Sequence, residues 1–316
     1  MGAYIIRRLL QAIPTLFFVS IIIFGIMRLT PGDPARALLG NQYGITPEMV
    51  ETVREEMGLN RPLYVQYLSW LTGILQGDFG RSYINRTDVS TLIQMRLPAS
   101  IQLAVAAISF ALVVAIPAGI ISAVKRGSWI DHLVTTFVTA GLAMPGFWLA
   151  MLVVLLFAVA LRWLPPSGYV AFDRDPQANL RLLILPSITL AILIASPTMR
   201  FLRSSMLDVL GEDFMRVARA KGLVEQAVIF RHALRNALIP TVTWVGLEFA
   251  TIVGNSVMVE WVFGWPGIGF LTVQSVMNRD YLAVQGTVMV VAAIFVMVNL
   301  AVDLLYVYLD PRVRLS

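Results

Sequence analysis

The chain has 316 residues, of which 58% are hydrophobic and 14% are charged. In a soluble domain about 45–50% of the residues are apolar and about 25% are charged, so an ordinary soluble fold is excluded. The sequence contains no cysteine, which excludes disulfides and thiolate metal sites. The net charge of +5 rests on 22 arginines and two lysines, and in so apolar a chain it indicates loops facing a membrane surface and no nucleic-acid partner.

Six apolar stretches along the chain have about the length that crosses a bilayer as a helix, roughly 20 residues. They cover approximately residues 9–29, 101–124, 134–161, 182–199, 237–259 and 284–309. Prolines interrupt several of them, but neighbouring helices in a bundle can satisfy the freed carbonyl groups. The run after Arg7 and Arg8 is longer than the core of a signal peptide, so we expect an uncleaved first span. The sequence therefore predicts an all-α membrane protein with six transmembrane helices.

The arrangement of basic residues predicts how these helices are oriented. With the N-terminus inside, the inner segments carry thirteen Lys and Arg residues and the short outer loops carry four, as the positive-inside rule requires. We therefore expect both termini in the cytoplasm. The predicted parts are then an N-terminal helix at 1–29, an extracytoplasmic region at 30–98, a core of five helices at 99–309 and a cytoplasmic tail at 310–316.

The extracytoplasmic region contains two predicted helices and a turn. Thr46 can cap a helix that has Pro47 in its first turn and ends at Gly58. The stretch LYVQYLSWLTGIL has apolar residues at helical spacing. It predicts a helix that packs against the membrane surface or the helix bundle. An ordinary helix of an extracytoplasmic domain is the alternative. The stretch GDFGRSY predicts a turn.

A basic segment interrupts the apolar sequence between the fourth and fifth spans. Its five positive charges within residues 214–240 are Arg216, Arg219, Lys221, Arg231 and Arg235. Two apolar stripes at helical spacing flank it, one with Met206, Leu210, Phe214 and Val217 and the other with Ala227, Phe230, Leu234 and Leu238. The pattern predicts a cytoplasmic helical hairpin at 204–236 with a small-residue apex at 218–223. Such a hairpin fits the groove of a partner protein, and a basic amphipathic segment on anionic lipid is the alternative.

These residues resemble the cytoplasmic signature loop of the ABC importer permeases, the membrane subunits of ATP-driven importers. Gly222 and Ala218 match that pattern, whereas Arg216 stands where glutamate is usual. The departures are similar to the loops of the peptide and nickel branch, RTARAKGL…RHALRNALLP. Further motifs of that branch run through the whole chain: TPGDPA, RLPASIQLA, VFGWPGIGFL, NRDYLAVQG and VDLLYVYLDPRVR. The chain resembles the first of the two permeases in a dipeptide or oligopeptide importer.

The resemblance implies a type I ABC importer permease fold in a bacterial or archaeal plasma membrane. The implied partners are a second permease subunit, two ABC ATPase subunits, an extracytoplasmic substrate-binding protein and membrane lipid. The chain itself has no GxxxxGK[ST] motif, because its two lysines follow Val124 and Ala220. We therefore expect a transport subunit that is not an enzyme and holds no cofactor, with ATP and magnesium bound by the partner ATPases. Peptides are the expected substrate; a nickel chelate, glutathione or an oligosaccharide are the alternatives within the family.

We expect eight hairpin residues at the ATPase contact: Arg216, Ala218, Arg219, Lys221, Gly222, Leu223, Arg231 and His232.

Polar residues in the fifth span are candidates for the translocation pathway. Glu248 is a carboxylate near the middle of that span, and Thr251 and Asn255 share it. Intramembrane acids usually face a bundle interior or a cavity, although a structural pairing of Glu248 is equally compatible. Trp261 and Trp265 lie in an aromatic and glycine-rich segment that predicts either the outer mouth of the pathway or an interfacial anchor.

A proton-coupled secondary transporter that uses Glu248 as a proton relay is the main competing interpretation. It would need no ATPase and would usually show internal repeats, which the six stretches do not show. An intramembrane enzyme fits poorly, because both histidines are predicted on the cytoplasmic side and no HExxH motif occurs. No filter motif of a channel is visible in the sequence.

Overall fold

A computed structural model of the chain describes residues 2–29, 33–39, 46–82 and 84–309. Within these ranges the regular structure is helical, apart from an isolated bridge between Arg81 and Asp88. The α-helices are α1 Gly2–Leu29, α2 Pro34–Leu39, α3 Pro47–Glu56, α4 Leu63–Leu75, α5 Val89–Val124, α6 Trp129–Ala140, α7 Gly146–Val154, α8 Pro176–Gly211, α9 Asp213–Ala220, α10 Glu225–Ala227, α11 Leu234–Asn255, α12 Val257–Phe263, α13 Ile268–Met277 and α14 Tyr281–Leu309. The predicted cytoplasmic tail, 310–316, lies outside the described residues.

Four helices in the described part of the chain are long and apolar enough to cross a membrane. They are Leu10–Leu29 within α1, the whole of α5, the whole of α8 and Tyr281–Leu304 within α14. The all-helical prediction is therefore confirmed, but these lengths alone do not give the six predicted spans. The third and fifth predicted spans are not among these four helices.

The predicted third span is broken by Pro145. A 3₁₀ turn, Gly141–Ala143, ends α6, and α7 begins at Gly146 and continues into a π-helix, Leu155–Ala160. A proline lacks the N–H that would continue the helix, so the chain changes direction here. The predicted fifth span is α11, which ends at Asn255 and is followed directly by α12.

Other prolines do not interrupt their helices. Pro186 and Pro197 both lie inside α8, which stays continuous over 36 residues. The predicted fourth span, 182–199, is thus the middle of a much longer helix. Predictions based on apolar runs underestimate such helices because their polar ends contribute no hydropathy.

The chain divides into two compact units, residues 2–100 with 266–296 and residues 101–265 with 297 onward. In the first unit, α4 packs on α1, where the hydroxyls of Ser20 and Tyr67 form a 2.8 Å hydrogen bond. The ring of Phe24 lies between Tyr67 and Trp70, with centroids 5.4 and 5.8 Å away. The predicted amphipathic helix therefore rests against the first span.

The predicted capping of α3 is confirmed in the same unit. The Thr46 hydroxyl accepts a hydrogen bond from the backbone N–H of Met49 at 3.3 Å. Gly58, just beyond the helix, has a φ of +65°, a left-handed conformation that glycine adopts without strain. A hydrogen bond between Ser82 and the buried carboxylate of Asp280 ties the turn after α4 to the start of α14.

The second unit is built around α8. Of the most apolar stretch of this helix, 67% is buried, compared with 33% in α5. α8 packs on α11, where the rings of Phe201 and Trp244 stack with centroids 5.2 Å apart. At Gly141 a Cβ atom would lie 2.3 Å from the Ile192 side chain, so only glycine permits this approach of the 3₁₀ turn to α8.

Candidate functional site

The basic segment forms a helical hairpin of two arms joined by a tight turn; its position on the cytoplasmic side stays a prediction. α8 ends at Gly211, Glu212 is extended with φ −68° and ψ 149°, and α9 forms the first arm. Gly222 has a φ of +75°, and its N–H donates to the Arg219 carbonyl at 2.9 Å. The second arm starts with α10 and continues through a π-helix, Val228–Ala233, into α11.

The first predicted apolar stripe is wrong beyond Leu210. The change of direction at Glu212 rotates the following helix, so Phe214 and Val217 are 44% and 51% exposed. Met215 and Ala218 are buried in their place. The stripe assumed one uninterrupted helix, which the extended backbone at Glu212 prevents.

In the second predicted stripe, part of the predicted buried face is displaced for a different reason. In the π-helix the hydrogen bonds run from i to i+5, so each turn contains an extra residue. Phe230 is 57% exposed, while Val228, Ile229 and Ala233 are buried. Spacing rules for an α-helix therefore misplace Phe230, whereas Leu234 and Leu238 of the predicted stripe do pack against the apolar core of the hairpin.

The two arms share one apolar core with the neighbouring ends of α5 and α8. Met215 and Ala218 from the first arm meet Val228 and Ile229 from the second. The other buried members are Ile120, Ala123, Leu202, Met206, Ala233 and Ala237. Because one cluster holds all these elements, the hairpin is packed as an extension of the bundle and is not a loose loop.

An ion pair joins the arms across the turn. Nη2 of Arg219 lies 2.9 Å from Oε1 of Glu225, and Nε lies 3.2 Å from Oε2. Hydrogen bonding to Arg219 lowers the pKa of Glu225, and the same bonding raises the pKa of Arg219. The bidentate geometry sets the orientation of both side chains.

The apex of the hairpin is exposed and both apolar and basic. Lys221, Gly222 and Leu223 are all exposed, and the neighbouring Val224 is 71% exposed. A side chain at position 222 would meet no atom within 4 Å. The turn at the apex is thus built of small residues, and within the described residues no other part of the chain packs against Gly222.

The remaining predicted contact residues differ in their exposure. Arg216 is exposed and lies 3.3 Å from Asp213, and Arg231 is also exposed. His232 is half-buried, and its carbonyl accepts a 2.7 Å hydrogen bond from Asn236. Ala218 faces the shared core and is 7% exposed, so it supports the apex from beneath.

A buried acid beside the hairpin was missed by the sequence reasoning. The Asp131 carboxylate accepts hydrogen bonds from Arg203 Nη2 at 2.9 Å, from the Gly127 N–H at 3.0 Å and from Ser122. The Arg203 hydrogen bond, together with that from Ser122, holds the pKa of Asp131 well below its usual range. The group ties the start of α6 to α5 and α8. The available signal was Ser128 followed three residues later by an acid, a helix-capping pattern.

The predicted pathway residues lie along α11. Glu248 is half-buried, and the Thr251 hydroxyl donates to its carbonyl oxygen at 2.8 Å and lies 3.4 Å from its carboxylate. Asn255 is the last residue of this helix, and its side chain is outside the described part of the structure. Glu248 and Thr251 thus form a polar group on one turn of the helix.

The two predicted outer-mouth tryptophans occupy different environments. Trp261 is 41% exposed. Trp265 is fully buried and packs edge-on against Tyr169 with centroids 4.9 Å apart. The role of both tryptophans at the outer mouth stays a prediction. A second acid, Glu260, is also fully buried and accepts a 3.1 Å hydrogen bond from Ser256. The predicted fifth span ended at residue 259, which is why the sequence reasoning passed over Glu260.

The chain matches one protein family over most of its length. Residues 115–315 match the family described as binding-protein-dependent transport system inner membrane component. Residues 1–104 match the N-terminal region described for the same kind of protein.

Individual relatives match from end to end. A putative peptide transport system permease protein of Brucella abortus is 43% identical over 314 residues, covering 99% of both chains. The glutathione transport system permease protein GsiC of Escherichia coli is 42% identical, covering 98% of both. Among solved structures, an inward-facing form of the MetNI methionine ABC transporter superposes with a TM-score of 0.58 at 19% identity, covering 69% of this chain and 96% of that one. At 19% identity, the similarity to this solved structure is evidence for the fold alone.

Proposed function

Because this chain belongs to the binding-protein-dependent transport system inner membrane components, as an ABC importer permease of the peptide branch, we propose that it imports di- or oligopeptides. It forms half of a translocation pathway and couples to separate ATPase subunits through the hairpin. The partners are a second permease, two ATPases that bind ATP and magnesium, and an extracytoplasmic substrate-binding protein.

The choice of substrate rests on the relatives. One is named for peptides and another, almost as similar, for glutathione, which is itself a tripeptide. A peptide-sized solute is common to both. Nickel chelates and oligosaccharides are the alternatives within the branch. Binding measurements on the partner substrate-binding protein separate these solutes, because that protein selects the solute first.

The hairpin is the observation that supports coupling. Its core is continuous with α5 and α8, so a displacement of the apex moves these helices as well. Its exposed surface combines apolar side chains such as Phe214 and Val224 with basic ones such as Lys221. An exposed apolar patch with a polar surround is typical of a protein interface. This favours docking of a partner over simple adhesion to lipid.

Alternating access follows from such a contact. Closure of the ATPase dimer stabilises one position of the hairpins, and its opening stabilises the other. The permease contributes packing and charge to this cycle, and the ATPases contribute the chemistry. Glu248 and Thr251 then supply polar groups to the pathway.

A proton-coupled transporter that uses Glu248 is the second candidate, and membership in this family does not favour it. The two functions predict different subunit compositions for the purified protein. An importer co-purifies with a second permease and ATPase subunits and has ATP-dependent uptake. A proton-coupled transporter functions as the isolated chain and responds to a pH gradient.

Substitution of Gly222 tests the coupling contact. We expect Gly222→Val to leave the subunit folded but to reduce uptake about tenfold or more while ATP hydrolysis continues, because a β-branched residue disfavours the left-handed backbone by about 1–2 kcal/mol and fills the apex. Gly222→Asn should retain more coupling, since asparagine tolerates this conformation. Uptake and ATP hydrolysis are measured in proteoliposomes of the whole complex.

Gly211→Val is the matched control. Gly211 is equally exposed in the hairpin, a Cβ atom added there would meet no atom within 4 Å, and its backbone does not require a positive φ. The substitution should therefore lower uptake much less than Gly222→Val. Normal coupled uptake by Gly222→Val would contradict the assignment of the apex as the ATPase contact.

A further inference from the structure

A cavity of about 320 Å³ lies in the unit formed by residues 2–100 and 266–296. It is bounded by the carboxyl end of α1, by α3 and α4, and by the start of α14. The volume is about ten times the share of one water in the liquid, so a group of up to about ten non-hydrogen atoms fits within it.

The wall of this cavity carries both signs of charge. Arg28 and Arg61 contribute positive charges, while Glu55, Glu56 and Asp78 contribute carboxylates. Within the described residues, no salt bridge is formed by Glu55, Glu56 or Arg61. These side chains remain available to a ligand that carries both an anion and a cation.

Two neutral polar atoms of the lining are buried and have no hydrogen-bond partner in the described part of the chain. They are the amide oxygen of Gln66 and the indole N–H of Trp70. The Gln66 amide nitrogen donates to the carbonyls of Leu59 and Arg61 at 3.0 and 2.6 Å, which fixes the orientation of its oxygen. Buried polar atoms in native proteins are nearly always hydrogen-bonded. One acceptor and one donor beside the same cavity therefore indicate a ligand with complementary groups.

The position of the cavity indicates where this ligand comes from. α1 is one of the helices able to cross a membrane, and only 22% of its apolar stretch is buried. Ile22, Ile26 and Leu29 along its last turns are 57%, 53% and 85% exposed. A spanning helix with such a surface faces lipid, and its end lies at the level of the headgroups. Headgroups are therefore far more concentrated at this site than any soluble molecule.

We propose that the cavity binds the headgroup of a phosphatidylethanolamine. Arg28, Arg61 and the Trp70 N–H hold its phosphodiester, since guanidinium groups pair well with phosphate oxygens. Glu55, Glu56, Asp78 and the Gln66 oxygen accept hydrogen bonds from its ammonium group. A choline headgroup has no N–H to donate to these acceptors, and a glycerol headgroup brings no positive charge.

Lipid retention tests this site. The full-length protein, with whatever subunits co-purify, is placed in nanodiscs with equal amounts of phosphatidylethanolamine, phosphatidylcholine and phosphatidylglycerol. Retained lipid is counted by native mass spectrometry after release into detergent. We expect phosphatidylethanolamine to be retained preferentially. Equal retention of the three lipids, or a preference for phosphatidylglycerol, would overturn the proposal.

Single substitutions locate the site. Arg61→Ala and Glu56→Gln should each lower the retained phosphatidylethanolamine by about two- to fivefold, the range expected for one partly exposed ion pair. Ser69→Trp should abolish retention, because it fills the cavity and changes no charge. Arg36→Ala and Glu48→Gln are the controls, since both residues are exposed and lie outside the cavity. Retention unchanged by all three cavity variants would refute the assignment, whatever their thermal stability.

A soluble source of the same chemistry is distinguished by competition. Phosphoethanolamine without acyl chains, added at the same total concentration as the lipid, should leave the retained lipid unchanged, because it lacks the enrichment that the membrane provides. Complete displacement by phosphoethanolamine or by a dipeptide would assign the cavity to a soluble zwitterion and overturn the lipid assignment.

Discussion

Asp131 shows how much one side chain contributes at the base of the hairpin. Its carboxylate is 3% exposed and holds α5, α6 and α8 together through Ser122, Gly127 and Arg203. Sequence reasoning passed over this residue, because a lone aspartate gives no periodic signal. Glu260 was missed in the same way. The capping pattern at Ser128 indicates a helix start, but it does not report that Asp131 is buried, because its ion-pair partner Arg203 is 72 residues away.

Replacing Asp131 should destabilise the protein at neutral pH. We expect Asp131→Asn to lower the free energy of unfolding by about 2–4 kcal/mol, because it leaves the Arg203 charge without its carboxylate. Thermal unfolding in detergent at pH 7 measures this loss. Asp213→Asn is the control, since its carboxylate is 90% exposed and its pairing with Arg216 is weak.

The effect of Asp131→Asn should depend on pH in a defined direction. The folded pKa of Asp131 lies below its ordinary value of 3.8. Its stabilisation is therefore fully present above that value and is lost as the pH falls towards the folded pKa. The difference in melting temperature between wild type and variant should narrow between about pH 5 and about pH 3. A difference that stays constant over this range would contradict the role of the ionised carboxylate.

At the scale of elements, helices were predicted well and their faces less well. The start of α3 followed from Thr46 and Pro47, and the amphipathic spacing of α4 predicted a helix that packs on α1. The hairpin arms were located, but Phe214, Val217 and Phe230 were wrongly placed on their buried faces. An extended residue at Glu212 and a π-helix at Val228–Ala233 change which residues of each arm face the core, and α-helical spacing rules anticipate neither.

Substitutions at two adjacent residues of α9 distinguish the stability of the hairpin from its proposed binding of the ATPase subunits. Met215 is fully buried in the shared core, whereas Phe214 is 44% exposed. Met215→Ala should cost about 2–5 kcal/mol of stability by creating a cavity. Phe214→Ala should cost far less stability but weaken co-purification of the ATPase subunits. Melting temperature and ATPase recovery after affinity purification measure the two effects. The assignment of Phe214 to the interface fails if its variant retains the ATPases normally.

At the scale of the whole molecule, composition and apolar runs were enough for the membrane class, and the resemblance carried by the sequence motifs indicated the family, to which the full-length relatives also belong. Helix lengths were harder to predict. α5 and α8 each extend over 36 residues, well beyond their apolar middles. The polar extensions are helical because the bundle and the hairpin core pack against them, and hydropathy does not detect that packing.

The absence of cysteine makes the predicted orientation directly measurable. Glu48→Cys and Lys221→Cys each introduce one thiol at an exposed position. With both termini in the cytoplasm, a membrane-impermeant thiol reagent should label Glu48→Cys in intact cells and Lys221→Cys only after permeabilisation. The opposite pattern would place the hairpin outside, where no ATPase could reach it.

The unbroken course of α8 has a mechanical consequence. At 1.5 Å per residue its 36 residues form a rod of about 54 Å, nearly twice the thickness of the hydrocarbon layer. Near one end of α8, Met206 lies in the hairpin core, and Arg203, one turn away, forms an ion pair with Asp131. Tilting such a rod by about 5° displaces its far end by about 5 Å. On the proposed coupling, a rotation of α8 about its hairpin end would thus move its other end by about the rise of one helical turn.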